Sequence, residues 1–280
     1  AFGLRKENAQ LKAAADAFLV AKSVNATSKT STGDLDEIKK RGSVRMLTRN
    51  NAVSYFLHKG TQQGFDYELM KLFAKDNGLR LDVIVPPDAS DLVPWLLEGK
   101  GDVIAAQMTA TDERKQKIAF SEPYLSADEV LVQRAGDKPI ASVDDLKAAC
   151  AAGKQVSVRK SSSYRATLDA LPLPPGCVTD APEDRETEEL IADVAAGSIA
   201  LTVADRNIAA VEMTYRSDVQ TTLAMKSEQP IAYGVRKENA KLQAALNEFV
   251  QKRFHGLEYN VLKKQCFESK RVIDSAHDDA

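Results

Sequence analysis

The feature that most constrains the fold of this chain is a regular alternation of strand-type and helix-type segments, which begins at Asp34. Short runs of aliphatic and β-branched residues predict strands, and apolar residues three and four positions apart predict helices. The first round has predicted strands at 44–48, 81–85 and 103–106, with helices at 67–76 and 90–98 between them. Alternating units of this length are typical of α/β folds, in which helices cover parallel sheets.

A second round repeats this order and predicts a second lobe. Its helices are predicted at 143–151, 163–171 and 187–196, and its strands at 155–158, 177–179 and 200–204. A late strand at 231–235 and a helix at 239–254 follow. We predict a first lobe from 34–132 with 229–267, a second lobe from 133–228, and a C-terminal tail at 268–280.

The N-terminal segment repeats a segment from near the other end of the chain. Residues 1–18 and 232–249 are identical at 11 of 18 aligned positions, which is more than low complexity explains. We interpret 1–22 as a helix from the tail of a preceding tandem copy, and the Ser-, Thr- and Asn-rich residues 23–33 as a linker. The alternative is a duplicated helix that belongs to the present domain. A start without methionine also suggests a processed or excised piece.

The charge balance bears on the kind of partner that the chain binds. The sequence has 38 basic and 40 acidic side chains, so it lacks the field that binding to nucleic acid or an anionic membrane surface requires. No run of eighteen apolar residues is present, so no membrane span is predicted. We therefore expect a small-molecule ligand or a protein partner.

The cysteines and histidines support neither a metal site nor a cofactor. Three histidines are scattered without the spacing of metal ligands. Cys150 ends a predicted helix and Cys177 begins a predicted strand, whereas Cys266 lies far from both. Cys150 and Cys177 form a disulfide in an oxidising compartment or remain separate thiols, and the sequence leaves both readings open.

The segment 107–114 is the best candidate for a binding site. It follows the buried strand at 103–106 and leads into a short helix, for which Thr111 is the predicted N-cap. Hydroxyl groups, backbone N–H groups and the guanidinium of Arg114 thus lie at the carboxyl edge of a strand, where α/β sheets bind ligands. These donors suit an anion. The alternative is that Arg114 only balances nearby acids on a solvated helix.

Several motifs in this order resemble the type II periplasmic solute-binding proteins of the amino-acid class. They are GFDYEL at 64–69, GKGDVI at 99–104, MTATDER at 108–114 and FSEPY at 120–124. Each motif is weak alone, but their order and spacing are specific, and the resemblance covers residues 34–267. It implies a two-lobed Venus flytrap α/β fold, with a mostly parallel sheet flanked by helices in each lobe and a ligand between the lobes.

Within that family, the chain is most similar to the ligand-binding modules of membrane-bound lytic murein transglycosylases. The similar segments are VRMLT at 44–48, SY at 54–55, SEQPI at 227–231 and the tail at 256–267. No segment resembles the catalytic domain of those enzymes. We therefore expect that this chain does not cleave glycan.

The resemblance implies roles for particular residues of this sequence. Arg114 takes the α-carboxylate of the ligand, since a planar guanidinium holds a carboxylate through two parallel hydrogen bonds. The other candidate ligand-binding residues are Thr109, Thr111, Gln107, Ser161, Ser162, Ser163, Asp205 and Tyr55. Asp205 takes the α-ammonium or caps the following helix, and the two roles are compatible. The three serines donate to the same carboxylate or form an ordinary N-cap, and Tyr55 covers the ligand or packs within its lobe.

The chain also departs from the family pattern near the predicted site. Relatives commonly have an aromatic residue where this chain has Ala89, and small polar residues where it has Ala106 and Gln107. These departures affect the contacts to the ligand's side chain and leave the carboxylate and ammonium contacts in place. A ligand larger than one amino acid, such as a peptidoglycan stem peptide, fits this pattern.

The favoured function is a non-catalytic, ligand-sensing module of a periplasmic or envelope protein. It closes on an amino acid or a short muropeptide and acts on adjacent domains of the same parent protein. The alternatives are a substrate-binding receptor of an ABC transporter, the tandem sensor domain of a histidine kinase, and a scaffold that has lost its ligand. A stand-alone enzyme is disfavoured, since no pair of nucleophile and base, metal cluster or phosphate loop is evident.

Overall fold

A computed structural model of the protein describes residues 30–268. The predicted helix at 1–22, most of the linker at 23–33 and nearly all of the C-terminal tail lie outside the described residues. The first lobe is built on a five-stranded sheet in the order β4-β1-β5-β12-β6. Its strands are β1 Ser43–Leu47, β4 Arg80–Ile84, β5 Val103–Ile104, β6 Ala119–Phe120 and β12 Gly234–Val235.

Parallel and antiparallel pairs both occur in this sheet. Strand β1 pairs in parallel with β4 and β5, whereas β12 runs antiparallel to β5 and β6. A small antiparallel hairpin, formed by β2 Phe56–His58 and β3 Thr61–Gln63, follows β1 in the sequence. The helices of this lobe are α1 Leu35–Arg41, α2 Phe65–Asp76, α3 Leu92–Leu97, α4 Asp112–Lys117, α9 Ala240–Arg253 and α10 Leu257–Glu268.

Local signals in the sequence explain where these helices begin and end. The Asp34 side chain accepts a hydrogen bond from the N–H of Leu35 and caps α1, which ends at Gly42 in the left-handed conformation. Helix α2 buries Phe65, Leu69 and Phe73. These residues are four positions apart, so they form one apolar face against the sheet.

Two long strands connect the lobes. The chain leaves the first lobe through β7 Leu125–Arg134 and returns through β11 Val219–Ile231, and these strands pair antiparallel with irregular register. We use "second lobe" for residues 135–218, which lie between these strands. The predicted boundaries at 132/133 and 228/229 fall inside β7 and β11, and the exact division remains a prediction.

The second lobe contains a parallel pair of strands covered by helices. Its elements are α5 Val143–Ala151, β8 Val156–Arg159, α6 Ser163–Asp169, β9 Val178–Ala181, α7 Thr187–Ala196, β10 Thr202–Asp205 and α8 Arg206–Glu212. Strand β8 pairs in parallel with β9, and β10 pairs antiparallel with β7. The largest buried apolar cluster extends from the first-lobe sheet to α7 and α8.

Of the two alternatives for Cys150 and Cys177, a disulfide or separate thiols, the structure shows the disulfide. Cys150, the penultimate residue of α5, is bonded to Cys177, which precedes β9. Cys266 is buried as a free thiol. Two predicted helices, α5 and α7, have the predicted bounds, whereas the β2–β3 hairpin and residues 219–230 of β11 were not predicted as strands.

Candidate functional site

A small polar cavity lies where the two lobes meet. Its volume is about 70 Å³. The first lobe lines it with residues from the segments after β1, β4 and β5, and the second lobe lines it with residues at and after the ends of β8 and β10. All five segments lie at the carboxyl ends of strands, which is where open α/β sheets bind their ligands. The position of the cavity therefore agrees with the expectation drawn from segment 107–114.

Hydrogen bonds join the two lobes around this cavity. The backbone N–H of Ala89 donates to the carbonyl of Glu183 at 3.1 Å. The Asn207 amide donates to Gln107 Oε1 at 3.3 Å, and the Thr109 hydroxyl donates to the Ser163 hydroxyl at 3.3 Å. The structure thus shows the lobes in contact, with the cavity between them.

Arg114 crosses from the first lobe to the second. Thr111 caps α4 by accepting a hydrogen bond from the Arg114 N–H, as predicted. The guanidinium donates through Nη1 to the Thr109 carbonyl at 3.0 Å and through Nη2 to the Ser161 carbonyl at 2.8 Å. A guanidinium has five N–H donors, and these two carbonyls use two of them. Burial lowers the pKa of Arg114 and Glu113 opposes this effect, so the side chain remains a cation at neutral pH.

The three serines have different partners. The Ser161 N–H and hydroxyl both donate to the carboxylate of Glu183, and the Ser162 hydroxyl donates to the Arg159 carbonyl at 2.7 Å. Ser163 is the first residue of α6, is buried, and accepts the bond from Thr109. All three serines line the cavity, but Ser163 is the one whose hydroxyl meets the first lobe.

Asp205 supplies the negative charge of the cavity. It occupies the N-cap position of α8 without a side-chain capping bond, and only 2% of the residue is exposed. Its Oδ1 has no hydrogen-bond partner among residues 30–268. Burial raises the pKa of Asp205 to about 7, and the neighbouring carboxylate of Glu129 adds to this effect. A buried carboxylate oxygen without a partner is costly, so this atom is suited to a cationic group of a ligand.

Glu129 lies directly opposite Asp205 in the pairing of β7 with β10. Side chains of directly opposed residues project from the same face of a sheet. The carboxylate of Glu129 accepts a hydrogen bond from the Thr167 hydroxyl and is fully buried. Two carboxylates therefore lie close together behind the cavity, and the negative potential at Asp205 is larger than one carboxylate would produce.

Gln107 is held in a strained backbone conformation by a buried carboxylate. Its φ is 49°, a left-handed value that residues other than glycine adopt rarely. The Asp66 carboxylate accepts hydrogen bonds from the Gln107 backbone N–H at 2.9 Å and from its side-chain amide at 2.8 Å. The Tyr124 hydroxyl donates to Asp66 at 2.6 Å. These bonds fix the orientation of Gln107 at the edge of the cavity.

The remaining candidates do not line the cavity. Thr111 lines a larger groove of about 950 Å³, which has Arg114 and residues 161–163 in common with the cavity. Tyr55 lies within the first lobe, where its hydroxyl accepts a bond from the Gln62 amide and its ring is 5.7 Å from that of Tyr67. Tyr55 thus has packing contacts within its own lobe, and its role as a cover for the ligand stays a prediction.

Three polar residues that sequence reasoning did not select also line the cavity: Arg49, Arg159 and Tyr164. Arg49 closely follows β1, and Arg159 is the last residue of β8. The rule that ligand-binding groups follow the carboxyl ends of parallel strands would have selected both. The Tyr164 hydroxyl accepts a hydrogen bond from the Asp205 N–H at 3.1 Å and so positions this acid.

Two negative findings limit the chemistry of the described part of the chain. Among residues 30–268, no group of three or more His, Cys, Asp or Glu side chains could hold a metal ion. Within the same range, no helix has both the length and the apolar character that a membrane crossing needs.

Two lobes with a polar cavity between them, bounded by an arginine and a buried aspartate, define a solute-binding domain of the periplasmic type. The model of the bacterial extracellular solute-binding proteins, family 3, matches residues 44–269, and the chain belongs to this family. The predicted resemblance and the predicted two-lobed α/β fold are thus confirmed.

Similar proteins include membrane-bound lytic murein transglycosylases F. The protein from Desulfosudis oleivorans is 39% identical over 216 residues, which cover 76% of this chain and 46% of that protein. The protein from Pseudomonas fluorescens is 30% identical over 221 residues, which cover 78% of this chain and 44% of that protein. The chain therefore spans less than half the length of these relatives.

Solved structures of amino-acid-binding proteins have the same fold. Holo ArgBP from T. maritima has a TM-score of 0.69 and 26% identity, and the match covers 82% of this chain and 98% of that protein. An ancestral arginine-binding protein bound to glutamine has a TM-score of 0.69 and 28% identity, with 82% and 99% coverage.

Proposed function

We propose that this domain is a non-catalytic, ligand-sensing module that closes on an amino acid or a short peptide. In this proposal, Arg114 binds the ligand's carboxylate, with additional hydrogen bonds from Thr109 and Ser163. Asp205 binds the ligand's ammonium group from the second lobe. Because the two charges belong to different lobes, a zwitterion holds the lobes together.

The observation that carries this proposal is that Arg114 and Asp205, which have opposite charges and belong to different lobes, line the same cavity. The carboxylate of Asp205 is buried with an oxygen that has no partner among residues 30–268, and Arg114 has more donors than its two carbonyl partners use. An α-amino acid has the complementary charges at its two ends. Charge-assisted hydrogen bonds of this kind are the stronger ones in proteins.

The size of the cavity bears on the ligand class. On the same measure, one water molecule needs about 10–15 Å³, so the cavity of 70 Å³ has room for a small charged group and not for a whole peptide. The adjoining groove of about 950 Å³ shares Arg114, Ser161, Ser162 and Ser163 with the cavity. A short peptide can therefore place its charged end in the cavity and the rest in the groove, which supports the stem peptide of peptidoglycan as a ligand.

Calorimetric titration tests this function. The wild type is titrated with each L-amino acid and with muropeptide stem peptides, and the best ligand is then titrated into Arg114→Ala and Asp205→Asn. Losing one member of a buried charge pair costs about 2–5 kcal/mol, so each variant should bind at least about 30-fold more weakly. Arg80→Ala is the matched control, since Arg80 is largely exposed and lines neither the cavity nor the groove. Unchanged affinity in Arg114→Ala would remove Arg114 from the site.

The membership in family 3 and the likeness to membrane-bound transglycosylases also support a periplasmic or envelope location. Under this proposal, the domain acts on adjacent parts of a longer parent protein. The second candidate is the receptor of an ABC transporter, which the similarity to amino-acid-binding proteins favours. The parent reading frame separates the two, because a transport receptor does not require an attached enzyme or signalling domain.

A further inference from the structure

A second cleft lies between the lobes, with a volume of about 770 Å³. The only lining residue that it has in common with the Arg114 cavity is Arg49. One wall comes from the first lobe and is largely apolar, with Phe56, Leu57, Val85 and two prolines. The opposite wall comes from α7, α8 and the segments that flank them, and it is acidic.

The acidic wall carries more negative charge than its arginines neutralise. Five carboxylates and two guanidiniums line the cleft. Arg49 pairs with Glu186 at 2.6 Å, and Arg216 pairs with Glu212 at 3.4 Å. These two ion pairs account for both guanidiniums that line the cleft. Glu189 pairs with Arg185 at 3.6 Å, so among residues 30–268 Asp184 and Glu188 are the lining acids without an ion pair.

Glu188 differs from the other acids of this wall. It is the second residue of α7 and is only 8% exposed. Both of its carboxylate oxygens are buried, and neither accepts a hydrogen bond from another residue among residues 30–268. Burial raises the pKa of Glu188 to about 8, and the neighbouring carboxylate of Glu186 adds to this effect.

An unpartnered buried carboxyl group is costly in a folded protein. A native structure keeps such a group when a ligand satisfies it or when function requires it. Glu188 lines the cleft, so a ligand in the cleft lies beside this residue, and contact with its buried oxygens requires the side chain to turn towards the cleft.

We propose that this cleft is a second ligand site, which binds an organic cation with Glu188 as its counter-ion. The cation is a primary ammonium or guanidinium on an alkyl stem, and the stem packs against Phe56, Leu57 and Val85 of the opposite wall. An apolar wall with few polar groups is typical of sites for organic ligands. A bare metal ion does not fit, because no cluster of three metal-ligating side chains occurs among the described residues.

The second site does not depend on the proposed function of the Arg114 cavity. Its walls nevertheless belong to different lobes, so a bound cation stabilises the closed form. By linkage, the cation then increases the affinity of the Arg114 cavity for its own ligand, and that ligand increases the affinity for the cation by the same factor.

Calorimetric titration with pentylammonium chloride at pH 7 tests the second site, with 1-pentanol and calcium chloride as control ligands. The variants are Glu188→Gln, Asp184→Asn and Asp205→Asn. Asp184 is an exposed acid of the same cleft, so its variant makes the same acid-to-amide change without removing the buried carboxyl group. We expect saturable binding of pentylammonium, a loss of about 30-fold or more in Glu188→Gln, and changes below about threefold in the other two variants.

Proton release gives a second readout. At pH 7 the Glu188 carboxyl is largely protonated, and binding of the cation requires its carboxylate, so the proton passes to the buffer. The binding enthalpy should therefore differ between phosphate and Tris buffers in the wild type, by an amount that corresponds to nearly one proton. Equal binding of pentanol, binding of calcium alone, loss of binding in Asp205→Asn, or full binding in a folded Glu188→Gln variant would each overturn the proposal.

Discussion

The guanidinium of Arg49 and the carboxylate of Glu186 form an ion pair of 2.6 Å that joins the two lobes. Arg49 Nη1 also donates to the carbonyl of Pro86 at 3.0 Å, which fixes the guanidinium within the first lobe. The side chains of Arg49 and Glu186 are only 7% and 13% exposed. Removing one partner of such a pair leaves a buried charge without its counter-ion and costs about 3–5 kcal/mol.

We predict that Glu186→Gln shifts the ligand-free domain towards an open form. In an open form, water hydrates Arg49, so the cost of the lost pair falls mainly on the closed form. Small-angle X-ray scattering should show a larger radius of gyration for the variant than for the wild type. Asp169→Asn is the control, since Asp169 belongs to an exposed ion pair within the second lobe. Equal radii in Glu186→Gln and wild type would contradict the prediction.

Ligand binding should depend on pH through Asp205. The pKa of this acid is raised to about 7, by burial first and by Glu129 second. An ammonium group requires the carboxylate form, so affinity for an amino acid should rise between pH 5.5 and pH 8, by at most about tenfold per pH unit below pH 7. Titrations across this range measure the effect. A slope that persists in Asp205→Asn would assign the pH dependence to another group.

The stability of the domain should decrease with pH through Glu188. Its pKa is about 8 in the folded chain, against an ordinary value of 4.5. The folded state therefore binds the proton more tightly, and the free energy of unfolding falls as pH rises from about 4.5 to about 8, by at most about 1.4 kcal/mol per pH unit. Urea unfolding of Glu188→Gln should show a smaller decrease over this range. Parallel pH profiles for the variant and the wild type would refute the assignment.

Asp66→Asn should destabilise the first lobe. The Asp66 carboxylate accepts hydrogen bonds from Tyr124 and from two groups of Gln107. In the variant, the NH₂ group of the new amide faces these N–H and O–H donors and cannot accept a hydrogen bond from them. We expect a loss of about 1–3 kcal/mol in the free energy of unfolding, measured in urea. Asp82→Asn, which breaks a pair with the largely exposed Arg80, should cost less than about 1 kcal/mol. Equal losses in both variants would contradict the role given to Asp66.

Reduction of the disulfide should destabilise the second lobe. Cys150 and Cys177 are 27 residues apart in sequence, and closing a loop of this size stabilises a fold by about 3–4 kcal/mol. The free energy of unfolding should fall by a similar amount after reduction and in the Cys150→Ser/Cys177→Ser variant. A change below about 1 kcal/mol in both would show that the bond contributes little.

Elements with local signals could be predicted from the sequence. Ser142 accepts a bond from the Asp145 N–H and begins α5, and Gly197 in the left-handed conformation ends α7; both signals are visible in the chain. Strand β11 has no such pattern, because its exposed and buried residues do not alternate regularly and its pairing with β7 is irregular. The sequence therefore indicated only its last residue, Ile231, as part of a strand.

In the candidate site, too, contacts within a short motif could be predicted from the sequence, whereas contacts between distant residues could not. Arg114 and Thr109 belong to one short motif, so their proximity could be predicted. The contact between Arg49 and Glu186 joins residues far apart in sequence and on different lobes, and neither residue belongs to a motif. Residue type also failed to predict the burial of Glu188, which is 8% exposed, because glutamate side chains are mostly exposed.

The C-terminal helix α10 packs against α2 of the first lobe and α8 of the second. Phe267 lies against Phe65 of α2 at 5.0 Å between ring centroids, and α8 begins directly after Asp205. When the lobes rotate, α2 and α8 change their relative position, and α10 cannot keep both contacts unchanged. A rotation of one lobe against the other would therefore also move the C-terminal helix that ends at Glu268.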